Sequence, residues 1–291
     1  MHESPLADRA ITASCAVRSA LTAADGTALA LWHWAADSTI PRRGIVVVVH
    51  GIGEHARRHD RLAQHLTHWG FAVLAHDHRG HGESPGPRGV LPAEMQLVDD
   101  LDEVVAHARR QLASGERLIL LGHSMGGLVA AVHVLQRRSP VDALVLSSPA
   151  LRADLSAFQR LLLAVLPRLA PNLAVSRDQD PQWLSHDPRV VQAYREDPLV
   201  HDRISGRLAR FIIDWGPKVI AGAPAWPVPT LLMWGGSDRI VNPHGSRDFA
   251  AAAPLARVTA RGFEDLRHEI FNERDALPVY AALRDWLAQR A

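Results

Sequence analysis

Cysteine is nearly absent from the 291 residues. Cys15 stands alone, so no disulfide can form within the chain. That fits a reducing compartment. Lysine is as scarce: Lys218 is the only one, and the other basic residues are arginines. A bias in nucleotide composition accounts for that skew without any functional demand. A net charge is missing too. Lys plus Arg number 32 and Asp plus Glu 31, a formal charge of +1, which leaves no basic surplus to recruit nucleic acid. No uninterrupted apolar run reaches the roughly 20 residues of a membrane-spanning helix. Met1–Ala10 lacks the apolar centre of a secretory signal, so the protein is expected to be soluble and cytoplasmic. What the chain does have is 47% hydrophobic residues, enough for a substantial core. At this length an α/β fold is often one domain carrying an insertion.

The most informative stretch is Arg117 to Ala131. A short apolar run, Leu118-Ile119-Leu120-Leu121, ends in Gly122-His123-Ser124-Met125-Gly126, and a helix-forming run opens with Gly127. This is Gly-x-Ser-x-Gly between a strand and a helix, the context that gives the motif its meaning. A serine at the apex of so tight a turn has strained backbone angles. Glycines on either side let strand and helix approach closely. The Ser124 hydroxyl then projects from the top of a sheet, and the Met125 N–H points into the same space at a helix N-terminus, where a developing oxyanion is stabilised.

Around this centre the pattern alternates strand and helix. Asp25-Gly26 is a turn signal between Ala16–Thr22 and Thr27–Trp34. Ile45–Val49 is β-branched and apolar on both faces, as a central parallel strand should be. The glycines of His50-Gly51-Ile52-Gly53-Glu54-His55 follow it at once, and the Ile52 N–H is a candidate second oxyanion donor. His50 and His55 read as structural hydrogen-bonders rather than catalysts. Leu62, Leu66 and Trp69 have helical spacing, stopped by Gly70, and Phe71–Ala75 is the next strand. His76, His78 and His81 lie close together, but nothing completes a ligand set, so no metal is expected. Met95–Leu112 reads as a helix and Val141–Ser147 as a buried strand. The alternation breaks over residues 151–227, where helical patches, prolines and charge suggest a cap inserted between a first body segment, 1–150, and a second, 228–291. Within it Leu155, Phe158, Leu162, Val165, Leu166 and Leu169, widened by Leu161 and Leu163, form one apolar face. That face either packs on the body or walls an acyl tunnel that touches lipid surfaces. Regular structure returns with a strand at Val228–Trp234, a helix at Pro243–Ala253, a last strand at Ala256–Ala260 and a closing helix at Arg274–Arg290.

Ser124, Asp238 and His268 occur in the order nucleophile, acid, histidine, the latter two just beyond late strands. In a parallel sheet those strand ends share one edge, so the three can converge. The weakly nucleophilic alcohol of Ser124 needs a base. His268 takes its proton and returns it to the leaving group, while Asp238 fixes the tautomer of His268 and stabilises its charged form. Asp214, Asp248, Glu264 and Asp265 are rival acids and His244 a rival base, but they fall in the insertion, a helix or elsewhere in the last loop.

Taken together, these stretches resemble the monoacylglycerol lipase and lysophospholipase-like group of α/β-hydrolases. The matching segments, in family order over about residues 30–290, are His50 to His55, Asp77-His78-Arg79-Gly80-His81-Gly82-Glu83-Ser84, Gly122 to Gly127, Ser148-Pro149-Ala150-Leu151, Tyr194-Arg195-Glu196-Asp197-Pro198-Leu199, Gly236-Ser237-Asp238-Arg239 and His268-Glu269-Ile270-Phe271-Asn272-Glu273. The resemblance implies an α/β-hydrolase fold: a mostly parallel central sheet flanked by helices, with a helical cap inserted before the acid-bearing strand. It implies a serine hydrolase of carboxylic esters of single-chain acyl lipids, monoacylglycerol foremost, with lysophospholipids or small esters as alternatives. No cofactor or metal is implied. Ile52 and Met125 become the oxyanion hole, and Glu54, Arg58 and Tyr194 match positions near the polar end of the substrate. The chain departs from the family at His59, where tyrosine is frequent, and at Arg267, where an aromatic is usual. Arg267 is placed to narrow the site or to attract an anionic headgroup. A non-catalytic binding module on the same scaffold is the reading of a different class, and an intact triad argues against it.

Overall fold

The structure, a computed structural model, describes residues 16–154, 170–177 and 179–290. Cys15 and the apolar face from Leu155 to Leu169 lie outside the described residues.

The alternating apolar pattern of the first half builds the sheet. Strand β1 (Val17–Thr22) pairs antiparallel with β2 (Ala28–Trp34) across the Asp25-Gly26 turn, where Gly26 takes φ 85°. Strands β3 (Gly44–Val49), β4 (Phe71–His76), β5 (Arg117–His123), β6 (Ala143–Ser147), β9 (Thr230–Gly235) and β10 (Val258–Phe263) are parallel to one another. The sheet order is β1-β2-β4-β3-β5-β6-β9-β10, with β2 antiparallel to β4. Alternate residues of β3 serve opposite faces. Ile45, Val47 and Val49 join one buried cluster, and Val46 and Val48 the other.

Helices cover both faces, as a parallel sheet requires. α1 (Asp60–His68) and α7 (Leu277–Ala288) lay Leu62, Leu66, Leu283 and Trp286 on one face. α2 (Gln96–Arg109), α3 (Met125–Leu135) and α6 (His244–Ala252) cover the other with Leu101, Val105, Leu128 and Phe249. The segment from Leu151 to Pro227 contains α4 (Pro188–Glu196), opened by Asp187, whose carboxylate accepts the Arg189 N–H at 2.9 Å with Pro188 at the first helical position. It also contains α5 (Gly206–Gly222), capped by the Ser205 hydroxyl. Leu208, Phe211 and Val219 of α5 belong to the same buried cluster as α3, so this helix packs directly on the body.

Two differences from the sequence reading have physical causes. The insertion holds a small antiparallel ladder, β7 (Ala174–Ser176) with β8 (Arg203–Ser205), where only helical patches were expected. Three-residue strands are too short to show a periodicity. The last strand runs on to Phe263, because β10 closes the sheet and Arg261 and Gly262 remain exposed there. Among the described residues no helix is long and apolar enough to cross a membrane.

The strand ends after β3, β4 and β5 carry several buried histidines. His50, His76, His78 and His81 are almost fully buried, and burial pushes each below its ordinary value. His76 is lowered to about 4, and neither of its ring nitrogens has a hydrogen-bond partner. An unfolded chain binds the proton at about pH 6.5 and the folded one does not. Stability is therefore complete above that pH and is lost as pH falls below it, for His76 by about 2 kcal/mol at pH 5. Replacing the unpartnered ring by an apolar side chain should remove this loss. Denaturant unfolding of His76→Leu at pH 8 and pH 5 should show a drop smaller than the wild type's by about 2 kcal/mol. Equal drops would contradict the assignment.

Candidate active site

The turn after β5 is tight. Ser124 has φ 53° and ψ −122°, and α3 begins at the next residue. A left-handed backbone angle in a non-glycine residue costs on the order of 1–3 kcal/mol and persists only where the surroundings enforce it. Here they do. The Ser124 N–H donates to the Ser147 carbonyl at 3.0 Å, and the Ser124 carbonyl accepts from Leu128 at 3.1 Å and Ala150 at 3.0 Å. A Cβ on Gly122 would lie 2.5 Å from the Gly126 carbonyl oxygen, and one on Gly126 would lie 2.2 Å from that of Val49. Strand and helix meet here at a distance only glycine allows. Among the described residues the N–H groups of Ile52 and Met125 have no protein acceptor.

The loops after β9 and β10 bring Asp238 and His268 together. The His268 Nδ1–H donates to Asp238 Oδ2 at 2.7 Å, with both side chains buried. Asp238 Oδ1 accepts the N–H groups of Ile240 at 2.8 Å and Val241 at 3.0 Å, so the carboxylate cannot swing away. The His268 carbonyl accepts the Ser148 hydroxyl at 2.9 Å. Burial acts to lower the His268 pKa, but Asp238, reinforced by Glu269 and Glu54, outweighs it and holds the imidazole above its ordinary value. Gly51, Ile52, Ser124 and His268 line one cavity together with Arg177, Leu184 and Tyr194 of the insertion. Asp238 does not itself line the cavity and is joined to it by its bond to His268; the rival acids and His244 are not among the lining residues.

A buried charge cluster forms the polar wall of this cavity. Arg58 donates from Nη2 to both oxygens of Glu269, at 2.7 and 3.0 Å, and from Nε to Glu54 at 3.2 Å. The His59 ring lies 3.3 Å from the other Glu54 oxygen. For Glu54 burial favours the neutral acid, yet His59, His123 and Arg58 hold its carboxyl well below the usual range. Glu269 is lowered too: burial and Glu54 oppose its ionisation, and Arg58 leads the groups that overcome them. Glu54, Glu269 and Tyr194 face the cavity, while Arg58 stands behind, 4.7 Å beneath the Tyr194 ring. His55 pairs with Asp197 of the insertion at 2.8 Å. Arg267 turns away from the cavity: its Nη1 donates to the carbonyls of Gln182 at 2.7 Å and Ser185 at 3.0 Å, and its guanidinium lies 4.9 Å over Trp183. Among the described residues no group of three or more His, Cys, Asp or Glu side chains is arranged to hold a metal ion.

Sequence reasoning left Glu269 without a role and did not find Arg177 or Leu184. Glu269 carried a usable signal, an acid adjoining the catalytic histidine candidate. Arg177 and Leu184 lie in irregular parts of the insertion and carry none.

A mostly parallel eight-stranded sheet, antiparallel at its start, with a strained serine after β5 and a paired acid and histidine at the same edge, is the architecture of an α/β-hydrolase. The chain belongs to the serine aminopeptidase S33 family, whose profile matches residues 40–275. It is 35% identical over 248 residues to a monoacylglycerol lipase of Mycolicibacterium smegmatis, covering 84% of this chain and 88% of that protein. The crystal structure of a Paleococcus ferrophilus monoacylglycerol lipase superposes with a TM-score of 0.82 at 35% identity, over 90% of this chain and 99% of that one. A soluble variant of the Saccharomyces cerevisiae monoglyceride lipase, in complex with a substrate analogue, shares the fold at a TM-score of 0.86 and 24% identity, over 99% of both chains.

Removing one member of a buried ionic cluster leaves the others unpaired, at a cost of about 3–5 kcal/mol. Arg58→Leu should lower the unfolding free energy by about that much, measured by denaturant unfolding at pH 7. A loss below about 1 kcal/mol would mean that Glu54 and Glu269 are neutralised by other means.

Proposed function

We propose that Ser124, His268 and Asp238 are the catalytic triad of a carboxylic ester hydrolase that cleaves monoacylglycerol to fatty acid and glycerol. The observation that carries this reading is the 2.7 Å bond from His268 to Asp238 at the cavity lined by the strained Ser124. The Ser124 Oγ attacks the ester carbonyl carbon, and the free ring nitrogen of His268 accepts its proton. Asp238 holds the opposite N–H and stabilises the imidazolium. The oxyanion accepts hydrogen bonds from the Ile52 and Met125 N–H groups, the latter aided by the α3 dipole. Collapse of the tetrahedral intermediate expels glycerol, which takes the proton back from His268. Water, activated by the same histidine, then attacks the acyl-enzyme and releases the fatty acid.

The headgroup end of the substrate lies against Glu54 and Tyr194, with Arg58 behind them holding Glu54 in place. Residues 151–227 form the cap over a body made of 1–150 and 228–291. Leu173 and Val175, exposed on that cap, suit transient contact with lipid surfaces. The single cysteine suits a cytoplasmic address.

The reading is tested with a matched panel: 1-monoacylglycerols of rising chain length, a lysophosphatidylcholine and short p-nitrophenyl esters. The monoacylglycerols should be turned over fastest, and Ser124→Ala should lose at least about 1,000-fold in kcat while unfolding at the wild-type temperature. Full turnover by Ser124→Ala would sink the mechanism. A lead by lysophosphatidylcholine would overturn the choice of substrate alone.

A further inference from the structure

Two consecutive peptide planes leave β3, and the protein grips almost every polar group on them. In the first, between His50 and Gly51, the carbonyl accepts from His78 Nε2 at 3.2 Å and the N–H donates to Glu54 Oε1 at 2.5 Å. In the second, between Gly51 and Ile52, the carbonyl accepts from His50 Nδ1 at 2.7 Å. The Ile52 N–H is the one group left over, and Ile52 lines the cavity with Ser124.

The proton on His50 has a definite place. The backbone N–H of His78 donates to His50 Nε2 at 2.9 Å, so Nε2 carries no hydrogen. The buried ring is neutral, and its single proton therefore sits on Nδ1, facing the Gly51 carbonyl. The described chain contains no cis peptide bond. In a trans peptide the carbonyl and the N–H point in opposite directions. A donor that holds the Gly51 carbonyl from beneath thus turns the Ile52 N–H upward, into the cavity.

Position 51 needs such a restraint. A Cβ there would lie 3.1 Å from Ser124 Cβ and 2.9 Å from Glu54 Oε1, so the close approach of the serine favours glycine. Glycine is also the residue whose flanking peptides rotate most freely. The space that admits Ser124 thereby loosens the peptide whose N–H must face the oxyanion.

We infer that His50 is a positioning residue: its Nδ1–H clamps the Gly51 carbonyl and so aims the Ile52 N–H at the reacting carbonyl oxygen. This role rests on Ile52 acting as an oxyanion donor. His50 does not touch the substrate and moves no proton in the reaction.

Two substitutions separate the two bonds of the ring. His50→Asn keeps an amide N–H near the position of Nδ1 and loses the acceptor for His78. His50→Gln keeps an acceptor near the position of Nε2 and loses the donor to Gly51. Loss of an oxyanion donor lowers kcat by about 100-fold or more, with little effect on KM. We expect that loss in His50→Gln on a medium-chain 1-monoacylglycerol, matched by a similar weakening of inhibition by an alkyl boronic acid, which forms a tetrahedral adduct. His50→Asn should stay within about tenfold of wild type in both. Equal losses in the two variants, or wild-type kcat in His50→Gln, would overturn the role. If His50→Gln does not fold, His50→Asn decides: activity within about tenfold supports the clamp, and a hundredfold loss refutes it. Turnover kept by Ser124→Ala would instead overturn the hydrolase reading beneath it, whereas turnover lost in Ser124→Ala but kept in His50→Gln overturns the clamp alone.

Discussion

Ser124 holds a backbone angle, φ 53°, that a serine keeps only when its neighbours leave no other choice. Those neighbours set much of the rest of the molecule. For the hydroxyl to stand at the sheet's edge, β5 must end within one residue of the start of α3. That brings Gly122 against Gly126 and Gly127, and Gly126 against the end of β3. The close approach ties three elements into one block: β3, which leads to the Ile52 loop; β5, which leads to the serine; and α3, which supplies the Met125 N–H. The block is rigid because its walls are apolar. Val47, Val49, Leu120 and Leu128 are all buried in the same cluster. The strain at Ser124 is thus borne by packing that the sheet makes in any case.

The site gathers Glu54, Glu269 and Asp238 within a buried region, and of these three Asp238 is the one hydrogen-bonded to the His268 ring. Arg58 takes up the charge of the other two, and Tyr194 from the insertion covers Arg58. Such a cluster stabilises little on balance, since desolvation offsets most of its Coulombic gain. Its effect is geometric. Glu54 holds the Gly51 N–H, and Arg58 fixes Glu54, so the loop that carries Ile52 is anchored to the helical turn that precedes α1 and to the segment following His268. Through His55 with Asp197 and Arg58 with Tyr194, the insertion is joined to the same anchor.

How much of this could be read from the chain depended on whether the cause was local. The elbow was legible because glycines flanking a serine, between an apolar run and a helix-forming run, suit few backbone shapes besides a tight strand-to-helix turn. The strands from Ile45, Phe71, Leu118 and Val228 were legible from β-branched and apolar runs between turn residues. Asp238 and His268 stood out because each follows a late strand in the right order. The polar run from His76 to Ser84 was harder. Its residues proved to be internal supports, Asp77 accepting from Ala56 and Glu83 and Arg79 making two bonds to Asp100. Partners so distant in sequence leave no local pattern. The same holds for the pairing of β7 with β8, and for Leu184 and Arg177, which line the cavity. Arg267 misled for a related reason: its place beside His268 suggested the cavity, and the carbonyls of Gln182 and Ser185 drew it elsewhere.

The central claim is that Ser124 becomes acylated during turnover. Rapid acid quench of the protein mixed with p-nitrophenyl butyrate, followed by intact mass and peptide mapping, tests it most directly. The account predicts one added butyryl group, carried on Ser124 and absent from Ser124→Ala. An adduct on another residue in an active sample, or the same adduct on Ser124→Ala, would contradict it.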